Sequence, residues 1–331
     1  MKKSVKRLVT VVLALVLVLP MIAMLSSCGK ESIVIYTSAE DFRIEHLQKK
    51  INEKFPDYDV IFEYKSSGDH AAILKSAGKN AGCQIFYDLE YSYAQEIASK
   101  GTFANIKDLC DLSVYTDDAA ISEFFAPDVR SGGAIILNMD VITEKGLDIP
   151  QSYEDLLDPQ YKNLISMPNP KASGTGYMFL LSLVNAWGED KAFEYFDKLS
   201  ENILSFTSSG SGPVNALVGK EVAIGFGMTS HAVQQINEGE NLKIVFFEEG
   251  SPNTLYSQGI ISGYETNQAV VEVFKYLTGE LAKEQCQLFY PEKIFKNEDF
   301  VIENYPSNIV YADMSNNTPE RKADLLSKWS H

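Results

Sequence analysis

Short β-branched runs alternate with segments of helical period along most of this 331-residue chain, and that alternation restricts its fold more than any other feature. Ile33-Val34-Ile35-Tyr36 is the first run; Phe42, Leu47, Ile51 and Phe55 then recur at near-helical spacing until Pro56 stops the helix. Val60–Tyr64 precedes a helix over Ala71–Ala77, and Gln84–Tyr87 precedes one over Tyr91–Lys100. A second series opens at Ala134–Leu137. In it Ile165–Met167 leads to a helix over Tyr177–Trp187, and Val222–Ile224 to one over Thr229–Glu238. Lys243–Phe247 and Ile260–Ser262 read as strands, followed by helices over Val270–Leu277 and Leu281–Phe289. Strand–helix alternation of this kind predicts an α/β protein whose mostly parallel sheets carry helices on both faces.

The amino terminus reads as a targeting segment. Lys2, Lys3, Lys6 and Arg7 precede an apolar stretch from Leu8 to Leu25, long enough to rival a transmembrane helix. Leu25-Ser26-Ser27-Cys28 decides for a bacterial lipobox: a branched apolar residue, two small residues, then a cysteine whose thiol takes a lipid. Residues 1–27 are therefore expected to be a lipoprotein signal peptide, Cys28 the lipidated residue, and 28–32 a short tether outside the cytoplasmic membrane. Without the four leader positives, the 29 Lys+Arg fall to 25 against 45 Asp+Glu, a net charge of −20. That balance excludes nucleic acid as a partner and peripheral binding to anionic lipid. Cys83, Cys110 and Cys286 are too few and too scattered for a disulfide framework and read as small buried hydrophobes, with a Cys83–Cys110 bridge conceivable.

In open α/β sheets a ligand lies beyond the carboxyl ends of the strands. Here those ends are rich in hydroxyls and glycine: Thr37-Ser38, Ser66-Ser67-Gly68, Ser173-Gly174-Thr175, Ser209-Gly210-Ser211, and Ser230-His231 after Gly225-Phe226-Gly227. A helix start carries roughly +0.5 of an elementary charge and unpaired N–H groups, which suits phosphate, phosphonate or carboxylate without any lysine. Taken singly, each stretch is equally an ordinary helix cap or turn. Arg130, one of three arginines after the leader, precedes Ser131-Gly132-Gly133 and has the fork to hold an oxyanion, although a surface loop arginine fits the same residues. Asp88 and Glu90 also follow a strand, where an acid is ordinarily solvated.

Catalytic patterns do not emerge. Gly225-x-Gly227-x-x-Ser230 misses the third glycine of a dinucleotide fingerprint, and Glu221 follows Lys220 where a P-loop needs Ser or Thr. There is no GxSxG elbow. His46, His70, His231 and His331 have no metal-ligand spacing. Ser230 and His231 are adjacent, so on a helix they do not face each other.

Several stretches resemble the iron(III), phosphonate and sugar-phosphate group of type II periplasmic binding proteins, which serve ABC importers. They are Val34–Ser38, Lys65–Asp69, Asp158–Lys162, Met167–Thr175, Ser208–Gly212, Ala223–Gly225 and Tyr305–Asn308. The resemblance implies a two-lobed fold with a cleft that closes on a small solute by hinge motion. It puts residues 33–130 plus 256–331 in lobe one and 131–255 in lobe two. It also implies a protein that hands its ligand to a permease and ATPase; a monomer with no cofactor is expected, and the missing signatures add the expectation of no metal and no catalysis of its own. Iron(III) members carry a tyrosine pair just after the segment matching Ala223–Gly225; here that place reads Phe226–His231, which favours the phosphonate and sugar-phosphate members. Asp88 and Glu90 become candidates for a ligand amine only if the solute is a 2-aminoethylphosphonate, as this resemblance allows. An acidic, tyrosine-rich chain keeps iron(III) and a polyamine as alternatives, and a secreted hydrolase on the same scaffold stands outside the class.

Overall fold

The computed structural model describes residues 30–119 and 122–331. The segment expected to be a signal peptide and Cys28 lie outside the described residues. Among the described residues nine strands form one sheet: β1 Glu31–Thr37, β2 Tyr58–Tyr64, β3 Ile85–Glu90, β4 Ala126–Asn138, β5 Ile165–Pro168, β6 Ile203–Thr207, β7 Ile224–Met228, β8 Leu242–Val245 and β9 Asn253–Ile260. Their order is β2-β1-β3-β9-β4-β7-β5-β6, with β8 also on β4.

The sheet holds two halves. In one, β1 pairs in parallel with β2 and β3; in the other, β5 pairs in parallel with β6 and β7. The antiparallel pairs all involve the two long strands that join the halves, β4 and β9. β4 pairs with β9 from Ala126 to Gly132, then with β7 and β8 from Gly133 to Asn138. The changeover is at two glycines for a steric reason. A Cβ on Gly133 would stand 2.7 Å from Met178 Cε and 2.9 Å from Phe179 Cζ, on the helix packed over that point. Arg130-Ser131-Gly132-Gly133, which reads as a loop in the sequence, is thus the middle of a 13-residue strand.

Each half has its own core. One gathers Ile33 and Ile35 of β1, Leu47 and Ile51 of helix Asp41–Lys54, Ile85 of β3, and Val273 and Phe274 of helix Gln268–Tyr276. The other is built on helix Gly174–Trp187, in which every residue from Gly174 to Val184 is buried. A helix apolar on all sides belongs inside a protein. Burying each large aliphatic side chain in these cores contributes roughly 1.5–3 kcal/mol.

The carboxyl-terminal segment touches both halves. Helix Pro319–Lys328 sends Leu325 into the second core, joined there by Trp329. Arg321 and Lys328 pair with Glu189 of helix Glu189–Leu199. The same helix also reaches the first half through Lys322, so it straps the two together. Helices Glu189–Leu199 and Pro319–Lys328 and strand β6 are not among the expected elements, although Ala192, Tyr195, Phe196 and Leu199 recur at helical spacing and are the buried residues of the first of them. Cys83, Cys110 and Cys286 are free thiols, so no Cys83–Cys110 bridge forms. No helix among the described residues is long and apolar enough to cross a membrane.

Candidate functional site

A cavity of about 290 Å³ opens between the halves, at the carboxyl ends of β1, β2, β3, β5, β6 and β7. Its two walls differ in chemistry. The wall from the second half carries hydroxyls: Ser173, Thr175, Ser208, Ser209 and Ser211, with Asn215 and Met228. The wall from the first half carries carboxylates: Glu40, Asp41 and Asp88, with Ser38, Tyr64 and Ser67. Tyr256, from the joining strand β9, closes the back. Among the described residues, no lysine, arginine or histidine lines the cavity.

The hydroxyl wall follows from where the chain turns. Ser173 caps helix Gly174–Trp187, its Oγ accepting the Gly176 N–H at 3.4 Å. A hydroxyl that accepts the cap bond still has its proton to donate. The Ser208–Ser211 loop is held by Thr207 Oγ1 donating to the Ser209 carbonyl at 2.9 Å, and the Ser209 and Ser211 hydroxyls sit 3.1 Å apart. Gly210 lets this loop rest on the neighbouring helix start, since a Cβ there would come within 2.3 Å of Thr175 Oγ1. Two hydroxyl-bearing turns far apart in sequence thereby share one wall.

The acidic wall is organised by a buried arginine. Arg43 is fully inaccessible, and donates to Asp88, to Asp128 at 2.8 Å, to Glu40 at 3.4 Å and to Tyr87 at 3.0 Å. One guanidinium thus faces three carboxylates, and Asp41 adds a fourth at the cavity. The carboxylates thus outnumber the one cation that serves them. Burial pushes the Asp88 carboxyl up to about 8; Arg43 opposes this, and Glu40 and Asp128 reinforce it. Asp88 also has a left-handed backbone, φ 56°, which re-aims its side chain at the end of β3. Ser38 Oγ donates to the Asp88 carbonyl and fixes that turn.

Of the residues expected from sequence, Ser38, Ser67, Ser173, Thr175, Ser209, Gly210 and Ser211 line the cavity, and so does Asp88. The others do not. Thr37 is buried, and its Oγ1 accepts the Ala39 N–H at 3.0 Å. Ser66 is a plain helix cap for the Asp69 N–H at 3.2 Å. Gly174 is covered by the Tyr256 hydroxyl, which a Cβ would meet at 2.6 Å. Arg130 points away to Asp118 at 2.9 Å. Glu90 is buried behind the cavity, where it accepts from Lys322, Ser92, Thr254 and Asn317. That ion pair answers its charge internally and leaves none for a ligand amine. Ser230 and His231 are buried in helix Thr229–Asn237 with no hydrogen bond between them; the His231 ring packs 5.5 Å from that of Phe42. Burial holds the His231 imidazole below its ordinary value. Ser208 lies in the Ser208–Gly212 stretch already singled out in the sequence, whereas Glu40, Asp41, Tyr64 and Tyr256 are additions. Only Asp41 carried a local signal, as an acid in the first turn of a helix after a strand.

Residues 89–322 match the profile of the bacterial extracellular solute-binding protein family. A Haemophilus influenzae protein described as uncharacterized is 26% identical over 249 residues, which cover 72% of this chain and 70% of that one. A putative 2-aminoethylphosphonate-binding periplasmic protein of Salmonella typhi is 24% identical over 198 residues, covering 58% of this chain and just over half, 56%, of that protein. Among solved structures, the periplasmic binding protein AfuA of Actinobacillus pleuropneumoniae, with fructose-6-phosphate bound, aligns with TM-score 0.77 and 22% identity over 91% of this chain and 98% of its own. Iron-bound HitA of Pseudomonas aeruginosa aligns with TM-score 0.72 and 16% identity over 90% and 97%. At such identities the structural likenesses establish the two-lobed fold. The chain belongs to the bacterial extracellular solute-binding proteins, the receptors that present a small solute to an ABC importer.

Proposed function

We propose that the solute is small and zwitterionic, an aminoalkylphosphonate of the 2-aminoethylphosphonate type, captured between the lobes and delivered to a membrane permease driven by an ATPase. The carrying observation is the opposition of the two walls. Ser173, Thr175, Ser209 and Ser211 offer neutral donors beside a helix start, while Glu40, Asp41 and Asp88 face them across about 290 Å³. Hydroxyls and helix N–H groups suit phosphonate oxygens. A carboxylate cluster with one internal guanidinium suits an ammonium. The net charge, −16 for the full chain, repels an anion at long range, but salt shortens that field to about 8 Å, within which local donors prevail. The likeness to the Salmonella proteins points the same way.

The test is a thermal-shift panel followed by calorimetry with 2-aminoethylphosphonate, fructose 6-phosphate, spermidine and ferric citrate. A binder of the folded state raises the melting temperature by mass action. Stabilisation by the aminophosphonate, with a weaker response to fructose 6-phosphate, is expected. Stabilisation by spermidine alone would assign the acidic wall to a polyamine and remove the oxyanion. A red-purple complex with iron would assign Tyr64 and Tyr256 as ligands; among the described residues no group of three His, Cys, Asp or Glu is placed to hold a metal. We further propose that Cys28 carries the lipid anchor. Wild type should then enter the detergent phase of a cloud-point extraction and Cys28→Ser should stay in the aqueous phase.

A further inference from the structure

We propose that Gly68 is the residue that sets how far the lobes close, and so limits which solutes the cleft retains. The inference rests on the cleft being the solute site, not on the identity of the solute. Gly68 lies in helix Ser67–Ala77 on the first half, directly after β2. Its N–H donates to the carbonyl of Ala172, on the second half, at 3.0 Å. The neighbours of both partners, Ser67 and Ser173, line the cavity, so this bond sits on its rim.

Two features make the contact specific to glycine. A Cβ at position 68 would stand 2.4 Å from the Lys171 carbonyl oxygen and 3.3 Å from Ala172 Cα. Both are backbone atoms, and no rotamer change relieves them. Within its own lobe Gly68 needs no such freedom: its backbone is not left-handed, and alanine favours a helix. The glycine is demanded by the opposite lobe.

The amide has no other partner to satisfy. It belongs to the first turn of its helix, where N–H groups lack intrahelical acceptors. The cap hydroxyl of Ser66 is already taken by Asp69 N–H. A helix start that reads in sequence as an anion grip is therefore a clasp between lobes, and the hydroxyls of Ser173, Thr175 and the Ser208–Ser211 loop remain for the solute.

The test compares wild type with Gly68→Ala by small-angle scattering, without solute and at saturating 2-aminoethylphosphonate, alongside stopped-flow release of the solute. The variant is expected to melt no lower than wild type. It should have a larger radius of gyration in whichever condition wild type is closed, and should release the solute at least tenfold faster with its association rate nearly unchanged. Its loss of affinity should be smaller for the bulkier fructose 6-phosphate. Equal radii in both conditions would overturn the clasp. If radii differ but neither protein binds the phosphonate, the clasp stands and the ligand assignment falls; if both proteins bind it and close alike, the reverse holds.

Discussion

The ammonium of Lys322 donates to Glu90 Oε2 while lying 3.5 Å from the ring centre of Tyr93 and 4.3 Å from that of Tyr177. Glu90 ends β3, Tyr93 belongs to helix Tyr91–Ser99 of the first half, Tyr177 to the central helix of the second, and Lys322 to the terminal strap. Four segments meet at one buried charge pair beside the joining strand β9, whose Thr254 also donates to Glu90. Burial opposes the Glu90 charge, yet Lys322 and the surrounding donors hold its carboxyl below the ordinary value. Burial likewise lowers Lys322.

This pair should behave as a buried pair does when broken. Lys322→Met is expected to destabilise the protein by about 3–5 kcal/mol, because it leaves a buried carboxylate without its counter-ion. Adding Glu90→Gln to that variant should recover much of the loss. Urea unfolding of the two single variants and the double variant measures both effects. A loss below about 1 kcal/mol for Lys322→Met, the size of an exposed pair, would remove the strap from the stability of the fold.

On the hydroxyl wall, Ser173→Ala and Ser209→Ala should each weaken 2-aminoethylphosphonate binding by about 1.5–3 kcal/mol, the range for a hydrogen bond to a charged group. Ser66→Ala, outside the cavity, should leave affinity unchanged. Calorimetry at one salt concentration separates the three.

Asp88 predicts a pH dependence. Its carboxyl is pushed up to about 8 by burial, so near pH 6 it is mostly protonated and cannot pair with an ammonium. Affinity should rise between about pH 6 and pH 8, by at most tenfold per pH unit, and level off above. Asp88→Asn, whose residue type tolerates the left-handed backbone, should flatten that rise and weaken binding at pH 8.5. The phosphonate's own ionisation is common to both proteins, so the difference between their profiles isolates Asp88.

His70 predicts acid instability. It is fully buried with neither ring nitrogen bonded, and burial drives its value from 6.5 down to about 3. The unfolded chain therefore binds the extra proton first. The contribution to stability is intact above about pH 6.5 and is lost as pH falls toward 3, at up to roughly 1.4 kcal/mol per unit. His70→Phe should lose less stability than wild type across that window, by denaturant unfolding at stepped pH.

Local periodicity determined a good deal here by itself. The runs at Ile33–Tyr36, Val60–Tyr64 and Ile165–Met167 and the apolar stretch over Tyr177–Trp187 carry their pattern within a few residues, so two α/β halves and their hydroxyl-rich strand ends could be read off the chain. The tertiary structure alone decided which of those ends share a cavity. Ser173 and Ser209 meet because Gly210 lies against Thr175; Glu90 is withdrawn from the cleft by a lysine 232 residues away; and the Gly68 amide reaches across to Ala172. The physical reason is range. A helix or strand is specified by neighbours, whereas the partner of a buried charge or an unpaired amide is set by packing between segments that no local pattern connects.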